Sequence, residues 1–335
     1  MKGNGKIKME KNIMFEKGKE IRRTCLHLAL FLGLIISSGA CQTEEDIDLF
    51  EGEIGESKLG IELGYGNPLV YINEYEERKG VSEESVRAYQ RHVGTIAANN
   101  IVGDQNKSCS GTLIGPNLFI TAGHCYRSNI EEMYIAFDYE LTGGEGTPSK
   151  TEVFFPIEEM LDYRNLTSSF GRIIDFMLLR LSGNPGNTYG WAAIPDVEDD
   201  LTQTDVVVGD TVIIIGHPME NPDNPFIAGH KQISVGEVRD IDHTMDEIPD
   251  SLKNNPTIVR YLAYRLIEYD NDTRTHNSGS GVLNTDGVLV GIHVQAPDGD
   301  DVPFSDDWYN SAMAMQHIYR YSDVVKSVAQ GTLFF

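Results

Sequence analysis

Apolar residues in this chain come in short runs parted by turn residues. From about residue 85 the runs are 92–98, 110–115, 118–123, 133–137, 152–157, 175–181, 205–216, 233–238, 260–266, 280–284, 287–294 and 311–316. Many short β-type runs bounded by Gly, Pro, Asn and Asp predict an all-β sandwich or barrel. The period changes only near the end. Ile318, Tyr321, Val324, Val325 and Val328 recur at helical spacing and predict one C-terminal helix over 317–330. Residues 42–84 are rich in Glu and Gly, have no regular apolar pattern, and read as tether plus propeptide. The acidic loops 239–257 and 297–308 read as solvent-exposed, and no internal repeat is visible.

The N-terminal segment has a different order. Lys17, Lys19, Arg22 and Arg23 precede an apolar stretch at 26–36, then SSGA, then Cys41. A stretch of eleven residues is too short to span a bilayer. The basic, apolar, small-residue order predicts a secretory signal peptide over 1–40 and hence export. SSGAC resembles a bacterial lipobox, which implies a lipid on Cys41; simple cleavage is the alternative. Membrane contact is expected at Cys41 alone. The net charge is −24, and the basic leader leaves residues 42–335 at −29, which argues against nucleic acid as a partner. Cys25 lies in the leader and Cys41 at its end, so Cys109 and Cys125 are a candidate disulfide in an exported chain. His217, His230 and His243 read as loop or surface residues without metal-ligand spacing, and DGDD at 298–301 reads as a solvated turn. No metal or cofactor is expected.

Three blocks carry candidate chemistry. CSGTLIGPNLFITAGHC, residues 109–125, ends on His124 and Cys125. DFMLLRL places Asp175 ahead of an apolar run, 51 residues after His124. HNSGSGV, residues 276–282, places Ser278 another 103 residues on. In this order the blocks resemble the chymotrypsin–trypsin superfamily of serine endopeptidases. The third is more similar to the GNSGSP of bacterial glutamyl endopeptidases than to the GDSGGP of trypsin. The resemblance covers roughly residues 90–330. It implies two six-stranded antiparallel β-barrels, 88–195 and 200–316, in a protease domain 88–335 behind a tether or propeptide 41–87. It also implies that a Cys109–Cys125 disulfide clasps the loop bearing His124. His124 is then the general base, Asp175 its orienting partner and Ser278 the nucleophile, with the backbone N–H groups of His276 and Ser278 as oxyanion hole. Asp138 and Asp162 lead no apolar strand and stand behind Asp175. Proteins or peptides are the implied substrates.

Two positions depart from the family. His276 stands where the family has Gly, at a backbone position that a Cβ resists. Asn277 stands where trypsin has the Asp that pairs with a newly cut N-terminus, so activation through that ion pair is not expected. GVLVGIHV is similar to the glutamyl endopeptidase strand whose His lies in the specificity pocket. His293 and Thr273 therefore imply a preference for acidic residues before the cut bond. Asp272, where trypsin binds Arg or Lys, points to basic residues instead. A non-catalytic binding protein on the same fold is the rival class, should His276 spoil the oxyanion hole.

Overall fold

Short apolar strands leave edge N–H and C=O groups to be paired, and a sheet closed on itself pairs them all. The chain does this twice. The computed structural model describes residues 67–102, 106–141, 152–168, 171–197, 204–218, 229–241, 266–295 and 309–333. Residues 1–40, read as a signal peptide, Cys41, His243, the acidic run at 298–301, the loop 297–308 and all but residues 239–241 of the loop 239–257 lie outside the described residues.

The short strand β1 (Val70–Tyr71) and helix α1 (Glu83–Tyr89) come first. The next strands are β2 (Val93–Ala97), β3 (Lys107–Leu113), β4 (Leu118–Thr121), β5 (Tyr134–Phe137), β6 (Val153–Ser168) and β7 (Gly171–Leu181). They close into a barrel in the order β2-β3-β4-β7-β6-β5, every pairing antiparallel. After a one-turn helix α2 (Gly186–Tyr189) come β8 (Thr211–Gly216), β9 (Gln232–Ile241), β10 (Leu266–Tyr269), β11 (Gly281–Asn284), β12 (Leu289–Gln295) and β13 (Asn310–Ala314). They run β9-β10-β13-β12-β11-β8, and a β8–β9 pairing closes this second six-stranded barrel. The chain ends in α3 (Met315–Tyr321) and α4 (Asp323–Ala329). The two-barrel, all-β architecture expected from the sequence is present.

The C-terminal helix is two helices, broken at Ser322 (φ −135°, ψ 103°). Its hydroxyl accepts from Val325 N–H and donates to Asp162 Oδ2 at 2.6 Å, so an N-cap tied to the first barrel restarts the helix. The run 205–216 becomes a strand only from Thr211. Gly209 (φ +93°) and Asp210 make a turn first, leaving Val207 and Val208 exposed. The run 260–266 enters the described residues only at Leu266, where β10 begins. β6 and β7 form a hairpin far longer than their apolar cores, because residues 158–168 are largely polar and showed no run.

Residues 67–87, read as the end of a tether or propeptide, lie on the folded unit. β1 pairs with β9, Val70 opposite Ile233. Tyr75, Val81 and Val86 are buried in the core, and Ser82 caps α1 by accepting from Ser85 N–H. Asn67 is 4% exposed and donates to Asp270 Oδ1 at 2.7 Å.

A buried polar seam crosses the first and second barrels. Lys231 Nζ donates to Gln90 O and to Glu140 Oε1. Lys107 Nζ pairs with Glu152 Oε2 at 2.9 Å and lies 3.9 Å from the centre of the Tyr139 ring. Tyr139 stacks on His230 at 4.2 Å, with His217 on the same stack. His217 and His230 are therefore buried, not surface residues as the sequence suggested. Burial, and then the Lys231 charge, hold His217 well below its usual pKa and bring His92 down to about 4.

Candidate active site

The three motif blocks converge through backbone turns at strand ends. β4 ends at Thr121, and the chain turns through a single 3-10 turn, Gly123–Cys125, that carries His124. Asp175 sits within β7, opposite Asn165 of β6, rather than at the mouth of a strand. It is fully buried, and both its oxygens meet His124. Oδ1 accepts from His124 N–H at 2.8 Å, and Oδ2 lies 2.7 Å from His124 Nδ1. The imidazole is thus fixed at two points. The other two aspartates are engaged elsewhere: Asp138 accepts from the Tyr189 hydroxyl, and Asp162 from Ser322.

Ser278 comes from the second barrel, in the turn before β11. Its carbonyl accepts from Ser110 N–H at 2.8 Å and lies 4.0 Å from Cys125 Sγ, so the Ser278 turn rests against the loop bearing His124. Cys109 and Cys125 are disulfide-bonded and tie that loop to β3. Ser110 is a further tie the sequence did not flag. Its hydroxyl donates to His276 O and accepts from His217 N–H. A serine in a strand that already holds Ser108 and Thr112 carries no sequence signal for that role.

His276 has φ +74°. Asn277 N–H donates to Arg274 O, so residues 274–277 form a four-residue turn with its positive φ at the third position, the pattern of a type II turn. Gly is the usual residue there. His276 adopts the backbone angle despite its Cβ, so the departure seen in the sequence is absorbed as local strain. The next turn residue, Gly279, has φ +84°, and a Cβ there would sit 2.1 Å from Thr121 Oγ1. Asn277 is fully buried.

The three positions expected to line a specificity pocket are all nearly buried: Asp272 is 4% exposed, Thr273 0% and His293 3%. Asp272 N–H donates to Ser234 Oγ and Asn67 O, which ties the segment just before β1 to residue 272. The Thr273 hydroxyl donates to Asn310 Oδ1 at 2.9 Å, and Asn310 Nδ2 donates to Asn271 O. His293 Nδ1 lies 2.6 Å from the Tyr269 hydroxyl. Neither Asn310 nor Tyr269 stands out in the sequence; Tyr269 ends β10 beside Glu268, and Asn310 opens β13 beside Ser311.

An extracellular metalloprotease of Bacillus subtilis (strain 168) is 25% identical over 140 residues, 41% of this chain and 42% of that protein. The match thus spans less than half of that relative's length. Its name implies a metal. Among the described residues the one cluster of possible ligands is Cys109, His124 and Cys125, and both sulfurs are held in the disulfide. That donor set does not suit a metal ion. A solved structure titled as a Glu endopeptidase in complex with MPD is similar with a TM-score of 0.44 and 21% identity, over 71% of this chain and 91% of that one. The trypsin-like peptidase domain matches residues 109–292, more than half of the chain and the span holding all three motif blocks. This chain belongs to the trypsin-like peptidase domain family.

Proposed function

We propose that the chain is an exported serine endopeptidase whose triad is His124, Asp175 and Ser278, and that it favours acidic residues before the cut bond. The observation that carries the triad is the doubly bonded His124–Asp175 pair, held beside the Ser278 turn. With Oδ2 of buried Asp175 accepting from Nδ1–H, the other ring nitrogen of His124 is the basic one. It takes the proton of the Ser278 hydroxyl as the oxygen attacks the peptide carbonyl. The tetrahedral oxyanion is stabilised by the N–H groups of Ser278 and His276, and the imidazolium by Asp175. His124 then gives its proton to the leaving amine, and water repeats the sequence on the acyl-enzyme.

His276 is the reason to consider a non-catalytic binding protein. Its φ of +74° favours the active reading, because the turn keeps the angle a Gly would take. For the pocket, the Thr273 proton is already given to Asn310, so His293 is the donor of the pair toward a substrate carboxylate. Attachment to the bacterial envelope through a lipid on Cys41 completes the reading.

A fluorophosphonate probe tests the chemistry. The protein should be labelled at Ser278, and Ser278→Ala should abolish labelling and cut peptide turnover by about a millionfold while leaving the fold intact. Half of wild-type activity in that variant would refute the triad. On a mixed peptide library, cleavage after Glu or Asp is expected; dominant cleavage after Arg or Lys would hand the pocket to Asp272.

A further inference from the structure

The Tyr269–His293 contact lies outside the triad and joins two strands that are not neighbours, β10 and β12, with β13 between them. Tyr269 belongs to the apolar core of the second barrel, among Val212, Ile214, Val282 and Val290. A phenol is an uncommon choice there unless its hydroxyl has a partner. Among the described residues, the partner of that hydroxyl is His293 Nδ1, at 2.6 Å. His293 is in turn bonded to the nucleophile turn, since its N–H donates to Ser280 O and its carbonyl accepts from Gly279 N–H.

We propose that Tyr269 is a positioning residue whose hydroxyl donates to His293 Nδ1 and so fixes the proton on Nε2, making His293 a neutral N–H donor for an oxygen acceptor on the substrate side chain. The inference rests on the pocket reading above. Direction follows from the cost of orphaned groups. If Nδ1 carried the proton, Tyr269 would have to accept it, and its own O–H would be stranded among aliphatic side chains. A buried unsatisfied donor costs about 1–3 kcal/mol, so the hydroxyl donates and Nδ1 accepts. Burial pushes the Tyr269 phenol well above its ordinary pKa, so the proton stays on oxygen and remains available to donate. A ring held this way presents Nε2–H in one orientation. Its match is a carboxylate or carboxamide oxygen, not an ammonium or guanidinium, which has no acceptor to offer.

Two measurements test this on the mature protein. Nitrogen NMR of the histidine rings, with the His293 signal assigned by its loss in His293→Gln, should show the Nε2–H tautomer in the wild type; an Nδ1–H tautomer overturns the proposal even if Tyr269→Phe does not fold. For Tyr269→Phe, kcat/KM is compared on peptides differing only in Glu, Gln or Ala before the cut bond. The Glu-to-Ala and Gln-to-Ala ratios should fall about three- to tenfold, roughly what one neutral hydrogen bond is worth, with the loss mainly in KM. The His293 signal should then show a mixture of tautomers. A wild type that favours Glu together with unchanged ratios in Tyr269→Phe overturns the role of Tyr269 and leaves the pocket reading standing. A wild type with no preference for Glu or Gln over Ala overturns both.

Discussion

The buried seam makes stability depend on mild acid, and the size of the effect can be worked out. Take the perturbation to be a drop from pH 7 to pH 5. His92 is 6% exposed, and burial with the nearby Lys231 charge sets its folded pKa at about 4. An unfolded His titrates near ~6.5. At pH 5 the unfolded chain therefore holds nearly one proton at this site and the folded chain about a tenth of one. Stability rises with pH wherever the unfolded state binds more protons, so it falls as pH drops through the window from ~6.5 toward 4. Integrated from pH 7 to pH 5, the loss from His92 alone is about 2 kcal/mol. His217, held low by the same causes, adds to it in the same direction. The described carboxylate with a resolved downward shift, Glu237 beside Lys79, loses its contribution only at lower pH, as its folded value is approached. The assay is urea unfolding at pH 7, 6 and 5, for the wild type and for His92→Gln. The midpoint should fall steeply for the wild type, and the variant's drop should be smaller by about 2 kcal/mol, whatever its absolute stability. Parallel pH dependences for the two proteins would refute the reasoning.

Other outcomes follow from single residues. His276→Gly relieves a left-handed backbone worth about 1–2 kcal/mol for an L-residue but adds about 0.5–1 kcal/mol of chain entropy, so Tm should rise by up to about 6 °C; a fall would show that His276 is not strained. Gly279→Ala puts a Cβ 2.1 Å from Thr121 Oγ1 and 2.2 Å from Ser110 O, beside the Ser278 turn. Fluorophosphonate labelling should slow by about 100-fold, and wild-type labelling would show that the turn tolerates displacement. Cys41→Ala should move the protein from the membrane fraction to the soluble one; equal detergent partitioning of both forms would remove the lipid anchor.

The all-β class was legible in the chain because short runs rich in Val, Ile and Leu, cut by Gly and Asp turns, pair as strands in almost any arrangement that closes. The motif blocks were legible because they are local strings. Their convergence was not. Nothing in a separation of 51 residues states that Asp175 lies 2.7 Å from His124, and only the β4–β7 pairing brings those two segments together. The polar half of β6 escaped because one barrel face tolerates charge, so no apolar run marked it. Ser322 broke a helix whose apolar spacing continues across it, because its hydroxyl found Asp162 on the other barrel. The seam was hidden for a related reason. Lysine and histidine are ordinarily solvated, and Lys107, Lys231, His217 and His230 are buried only because tertiary packing supplies Glu152, Glu140 and the Tyr139 ring. Composition decides which groups a chain can bury cheaply. Which costly groups it buries depends on partners distant in sequence, and those exist only once both barrels have closed.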